Sequence, residues 1–371
     1  MKKQTPPCLI PALLTCLLAA ALPAEACTRL VYKGNNEHVL TARSMDWSHT
    51  IGTNLWLFPR GMYREGAPVD HGLRWTSRYG SVIASGFDVS TTDGMNEKGL
   101  TANLLWLSES VYPPDSKDKS ILSISAWAQY ILDNFATVKE AVTALRKSEF
   151  IVVSDGFPGA GKYVSLHLSI SDATGDSAII EYINGKQVIS HSVNYSVLTN
   201  SPVYSEQIAL NNYWKEIDGF SSLPGTSRSA DRFTRASFYS NHIPRTLTED
   251  ETLASVFSII RNVSAPYRLE NRANSDKVAT KAPRSSTRWR TVADQKNKVY
   301  FFESVVTPNT FWINLNDLDF SEKTGKVKML GLGEKQSNIY SGNAAGAFIE
   351  AEPFEFASIS YAAEQYEISE K

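Results

Sequence analysis

Alternating apolar and polar residues define most of the expected elements. Tyr163–Ser171 is the clearest case, with Val164, Leu166, Leu168 and Ile170 on one face of a strand. His167 falls on the polar face, where it reads as solvated or hydrogen-bonded rather than as a ligand. Thr28–Tyr32 and His38–Arg43 read as two strands joined by the turn residues Lys33-Gly34-Asn35-Asn36. Ile179–Ile183 and Lys186–Ser190 flank Asn184-Gly185, a hairpin signal. Strand character also marks Asn54–Phe58, Leu73–Ile83, Leu100–Leu107, Tyr195–Leu198, Arg288–Ala293, Val299–Ser304 and Thr310–Leu315, while Asp93-Gly94 reads as a turn. The spacing changes in Ser120–Phe135, where Ile121, Ile124, Ala128, Ile131, Leu132 and Phe135 form one helical stripe. Thr137–Arg146, with Thr137 as N-cap and Glu140 three residues on, and Leu253–Arg261 are further expected helices. Residues 268–287 are polar and irregular, as in a surface loop. With no repeat and no linker, the pattern predicts an α+β fold: two sheets covered by helices, in one domain over residues 27–371.

The start of the chain follows a different pattern. Lys2 and Lys3 precede an apolar run from Cys8 to Leu22, which ends in Ala24-x-Ala26. That is the layout of a secretory signal peptide over residues 1–26, and it predicts a periplasmic or secreted protein cut directly before Cys27. The whole chain carries 37 basic and 39 acidic groups over 371 residues. Without residues 1–26, and so without Lys2, Lys3 and Glu25, 345 residues carry 35 and 38. That balance gives no electrostatic footprint for nucleic acid. No apolar run after Leu22 reaches membrane-spanning length, so no membrane association is expected once the signal is gone. Cys8 and Cys16 leave with the signal, so Cys27 is the single remaining thiol, on the first residue.

Three readings are open to Cys27. It is an incidental first residue, an acylated lipoprotein cysteine, or an N-terminal nucleophile. Glu25 directly inside the lipoprotein recognition box fits the second poorly. The third has chemistry behind it: an α-amine with a pKa near ~8 can take a proton from a thiol near ~8.5 without any histidine. Other motifs fail. Gly156-Phe157-Pro158-Gly159-Ala160-Gly161-Lys162 has phosphate-loop spacing, but Tyr163 stands where a hydroxyl must bind magnesium and a strand follows instead of a helix. Six histidines without paired spacing predict no zinc or other metal, and no cofactor motif occurs. A G-x-S-x-G elbow is also missing.

Taken together, Cys27, Arg43-Ser44-Met45-Asp46-Trp47, Gly94-Met95-Asn96-Glu97-Lys98-Gly99-Leu100, Thr199-Asn200-Ser201-Pro202 and Asp231-Arg232-Phe233 resemble the choloylglycine hydrolase family of N-terminal nucleophile hydrolases. The resemblance implies an αββα four-layer sandwich and hydrolysis of a linear amide through a thioester acyl-enzyme. By position, Cys27 matches the nucleophile and its amine the base. Asp46 matches the carboxylate that binds the amine, Arg43 the guanidinium beside the thiol, and Asn200 the oxyanion-hole amide. Arg232, chosen over Arg228 by the Arg-Phe that follows Asp231, matches the supporting arginine. Taken alone, Arg43 and Asp46 also fit an ordinary ion pair after a strand.

Trp106 stands where bile salt hydrolases carry asparagine. The resemblance gives its backbone N–H to the oxyanion hole and makes its indole, with that of Trp47, an apolar wall; core packing is the alternative for both. The implied substrate is a small N-acyl amide: penicillin V, an N-acyl homoserine lactone or a bile salt. An inactive binding protein that keeps the fold is the alternative from another class. A homotetramer or other homo-oligomer is also implied, although the stretch from Asn200 to Arg232 is short compared with the assembly loop of Gram-positive members.

Overall fold

A computed structural model describes residues 27–35, 37–114, 118–147, 149–154, 164–216, 222–267, 285–307 and 309–357. The expected signal peptide, the Gly156–Lys162 loop and residues 268–284 lie outside them.

Two large sheets dominate. The first has seven strands in the order Val197–Leu198, Thr28–Lys33, Val39–Trp47, Ser286–Asp294, Val299–Ser304, Thr310–Asn314 and Gly342–Asn343. The second has nine, in the order Lys186–His191, Ser177–Ile183, Leu166–Ser171, Thr101–Trp106, Ser90–Asn96, Ser81–Gly86, Leu55–Phe58, Lys328–Leu330 and Ile349–Glu350. Successive side chains on a strand point to opposite faces, and that alternation sorts the layers. Leu30, Leu40 and Ala42 pack with Phe233, Val256 and Ile260 of the helices Ser229–Asn241 and Glu249–Asn262. On the second sheet, Leu104, Leu168 and Ile170 pack with Trp127, Ile131 and Val142 of the helices Trp127–Asn134 and Val138–Leu145. The other faces meet each other: Thr41 Oγ1 lies 2.7 Å from Ser171 Oγ, and Arg29 Nη2 donates to the Ile170 carbonyl at 3.2 Å. The result is the expected αββα sandwich, with a partly polar layer between its sheets.

That polar layer decides between the readings of His167 and revises other expectations. His167 is fully buried, because the first sheet covers the polar face of its strand; Nδ1 lies 3.3 Å from Glu181 Oε1 and Nε2 2.9 Å from the Thr199 carbonyl. Asp93-Gly94 is not a turn but the middle of Ser90–Asn96. Asp93 is held there by partners on the first sheet, and a Cβ on Gly94 would come within 2.7 Å of Ile83 Cγ2. The turn comes later, at Gly99, whose φ of 82° favours glycine. The expected helix over Ser120–Phe135 splits into the strand Ser120–Ser123, paired in parallel with Phe150–Val153, and the helix Trp127–Asn134. Ile121 and Ile124 satisfied the helical stripe while belonging to other elements, as short apolar runs allow. Two further helices, Tyr204–Glu216 and Ser229–Asn241, were not among the expected elements.

Candidate active site

Register brings the candidate residues together. Thr28–Lys33 runs antiparallel to Val39–Trp47, with Thr28 opposite Ser44 and Arg29 opposite Arg43. Cys27, one residue ahead, therefore lies beside Met45; its Sγ is 4.0 Å from Met45 Sδ and 3.7 Å from the Asp46 carbonyl. Because faces alternate, Arg43 approaches from the layer between the sheets and Asp46 from the helix side. Cys27 itself is 3 % exposed, and Arg43, Asp46 and Arg232 are fully buried. A surface ion pair is thereby ruled out for Arg43 and Asp46.

Asn200 lies two residues past the strand Val197–Leu198, which pairs with the other edge of Thr28–Lys33. Its Oδ1 accepts from the Cys27 backbone N–H at 2.8 Å and from Arg232 Nη2 at 2.7 Å, while its Nδ2 donates to the Trp106 carbonyl at 2.8 Å. These partners define the amide's orientation, since a flip would set donor against donor. Arg232 Nη1 also donates to the Cys27 carbonyl at 2.5 Å and to Thr28 Oγ1 at 2.6 Å. Arg228, by contrast, is exposed and caps the helix that carries Arg232. The amide expected to face the substrate thus has one hydrogen engaged by Trp106, and Trp106 enters this network through its carbonyl.

The Cys27 backbone N–H pairs with Asn200, whereas the resemblance assigns Asp46 to the freed amine. Asp46 Oδ1 accepts from Thr287 Oγ1, and its Oδ2 is buried with no hydrogen-bond partner among the described residues. Burial pushes its carboxyl up to about 6, against the pull of Arg232 and the Thr287 hydroxyl. Burial also raises the Cys27 thiol above its ordinary value; Arg43 and Arg232 oppose that shift, and the Asp46 charge adds to it.

A cavity of about 40 Å³ opens on the thiol, lined by Trp47, Phe87, Leu104, Trp106, Val164 and Leu166 beside Cys27 and Arg43. The two indoles meet edge to face, 5.8 Å between centroids. Trp106 lines the cavity and also packs in the second sheet's core. Phe87, Leu104 and Thr287 were not anticipated, since only distant pairings bring them here. Among the described residues, no three His, Cys, Asp or Glu are grouped to hold a metal, and no helix is long and apolar enough to cross a membrane.

A buried thiol thus sits one residue ahead of an interior strand, beside two guanidinium groups and an apolar cavity. Residues 27–328 match the linear amide C–N hydrolases of the choloylglycine hydrolase family, and the chain belongs to that family. It is 50 % identical over 370 residues to a penicillin V acylase from Pectobacterium atrosepticum, covering 93 % of this chain and 96 % of that protein. The structure of penicillin V acylase from Agrobacterium tumefaciens superimposes with a TM-score of 0.81 at 57 % identity, covering 90 % of this chain and all of that one. A bile salt hydrolase/transferase from Bifidobacterium longum subsp. longum is 23 % identical, over 64 % of this chain and 81 % of its own. The chain is therefore an enzyme that hydrolyses linear amides.

Proposed function

We propose that the chain is exported, loses residues 1–26, and cleaves phenoxyacetyl-type amides such as penicillin V with the freed N-terminal Cys27. The observation that carries this reading is the pairing of the Cys27 nitrogen with Asn200 beside an unpartnered Asp46 oxygen. A backbone amide has one hydrogen to give, and Asn200 takes it. A freed ammonium has three, and Asp46 Oδ2 is an acceptor that the amide form leaves empty.

In the reaction, the Cys27 amine takes the thiol proton and the thiolate attacks the amide carbon. The tetrahedral oxyanion collapses to a thioester as the amine's proton passes to the leaving nitrogen. Water, deprotonated by the same amine, then releases the acid and restores the thiol. Arg43 favours the thiolate, and the second hydrogen of Asn200 Nδ2 is the donor available to the oxyanion.

The lining of Trp47, Phe87, Trp106, Val164 and Leu166 supports a flat aromatic acyl group over a hydroxylated steroid. The same lining supports N-acyl homoserine lactones as a second class, since a straight acyl chain asks only for apolar walls. Side-by-side hydrolysis of penicillin V, an N-acyl homoserine lactone and a conjugated bile salt tests the assignment. Penicillin V should be turned over with the highest kcat/KM; preference for the bile salt would refute it. The mass of the mature N-terminus tests the processing step, and a diacylglycerol adduct on Cys27 would replace this reading with a membrane-anchored protein.

A further inference from the structure

Arg43 reaches the thiol from a polar cluster that spans the gap between the sheets. Its Nη2 donates to the Leu104 carbonyl at 2.5 Å, and its guanidinium lies 4.9 Å from the ring centroid of Trp289. Its Nε and Nη1 have no hydrogen-bond partner among the described residues. Nη2 also donates to Met45 Sδ at 3.5 Å, but a carbonyl, a thioether sulfur and a ring face are weak anchors for a fully buried cation, whose desolvation costs several kcal/mol unless an opposite charge answers it. That charge is Asp93, across the gap on Ser90–Asn96, with Oδ2 3.8 Å from Arg43 Nε. Asp93 is itself tied down from both sheets. Its Oδ1 accepts from the Tyr300 hydroxyl and, at 3.3 Å, from Thr291 Oγ1; its Oδ2 accepts from Asn103 Nδ2 at 2.7 Å.

We propose that Asp93 is a positioning residue: from the opposite sheet it holds the Arg43 guanidinium in place, and through Arg43 it governs the ionisation of the Cys27 thiol. The charged groups that act on the thiol are Arg43, Asp46 and Arg232, whereas the one charged group acting on Asp93 is Arg43, with Tyr300, Asn103 and Thr291 acting on it as neutral hydrogen-bond donors. Asp93 thus reaches the nucleophile by way of the guanidinium between them. The geometry also accounts for an acidic residue in the middle of a buried strand, which strand propensity disfavours.

The test reads the thiol directly and does not depend on any substrate. Alkylation of Cys27 by iodoacetamide is followed from pH 5 to 10 by the mass of its peptide, and the midpoint of the rate profile reports thiolate formation. Asp93→Asn should move the midpoint up by about one pH unit, which is about tenfold slower alkylation at any pH below both midpoints. In an Arg43→Gln background the same substitution should leave the midpoint where Arg43→Gln alone put it. An unshifted midpoint in Asp93→Asn overturns the proposal. So does a shift that persists undiminished without Arg43, because Asp93 would then act by another route. If Asp93→Asn does not fold, Tyr300→Phe carries the test: it removes one donor from the Asp93 carboxylate and should shift the profile the same way by a smaller amount, again only when Arg43 is present. An unshifted Tyr300→Phe would then overturn the proposal in turn.

Discussion

Replacing Asn200 by alanine removes three buried hydrogen bonds at once: to the Cys27 N–H, to Arg232 and to the Trp106 carbonyl. Two neutral groups left unpaired cost about 1–2 kcal/mol each, and an abandoned guanidinium about 2–3. Those costs overlap, because Arg232 keeps its bonds to Cys27 and Thr28, so a net loss of about 3–4 kcal/mol is expected. The same change removes the proposed oxyanion donor and should lower kcat by roughly 10²–10³, with a smaller change in KM. Urea unfolding gives the first quantity; steady-state hydrolysis, normalised to folded protein, gives the second. Asn200→Asp separates them. It keeps acceptors for Cys27 and Arg232 but turns an oxygen toward the Trp106 carbonyl, so kcat should fall as far with less loss of stability. If Asn200→Ala costs less than about 1 kcal/mol and kcat stays within about fivefold, the bonding scheme is wrong. A change confined to KM would move Asn200 from the transition state to substrate binding.

An extra uncleaved glycine ahead of Cys27 should abolish nearly all turnover while the thiol still reacts with a disulfide reagent; substantial activity, with the glycine confirmed by mass, would sink the amine-as-base mechanism. Trp106→Ala should reduce turnover of phenoxyacetyl amides and, because the ring also packs in the core, lower stability by about 3 kcal/mol; lost stability with unchanged activity per folded molecule would make the indole purely structural. In the unprocessed chain, the Asp46 carboxyl near 6 lies above its unfolded value near ~3.9. A raised carboxyl opposes folding above its folded pKa, and that opposition fades as pH falls from about 6 to 4. Asp46→Asn should therefore stabilise the unprocessed chain at pH 7 by up to roughly 3 kcal/mol and show no advantage near pH 4. A pH-independent difference in urea unfolding between the two would refute this.

How far the site was legible depended on chain distance. Cys27, Arg43 and Asp46 lie within one hairpin, so a turn and an alternation were enough to set them side by side. Asn200 and Arg232 were placed by motif, but the way Asn200 points is decided by Arg232 and Trp106 together, across separations no local pattern encodes. Asp93 was misread for the same reason. Asp-Gly is turn chemistry in isolation, and only Tyr300, Thr291 and Arg43, on strands far along the chain or in the other sheet, keep it extended. His167 depends on the same distant packing: of the readings solvated or hydrogen-bonded, it is the second sheet over its face that selects the hydrogen-bonded one. The apolar faces were readable because burial against helices obeys a period, whereas the polar layer between the sheets is matched partner by partner.

Cys27, the proposed nucleophile, directly precedes the strand Thr28–Lys33, which is hydrogen-bonded along both edges within the seven-stranded sheet. Its aim is thus a matter of ladder alignment, and a slip of one residue would turn the thiol to the opposite face. Such a mounting has no soft hinge of its own, so the centre should not loosen ahead of its scaffold. Heating should leave activity per native molecule intact until the whole sheet lets go, and residual activity should then serve as a gauge of cooperative melting.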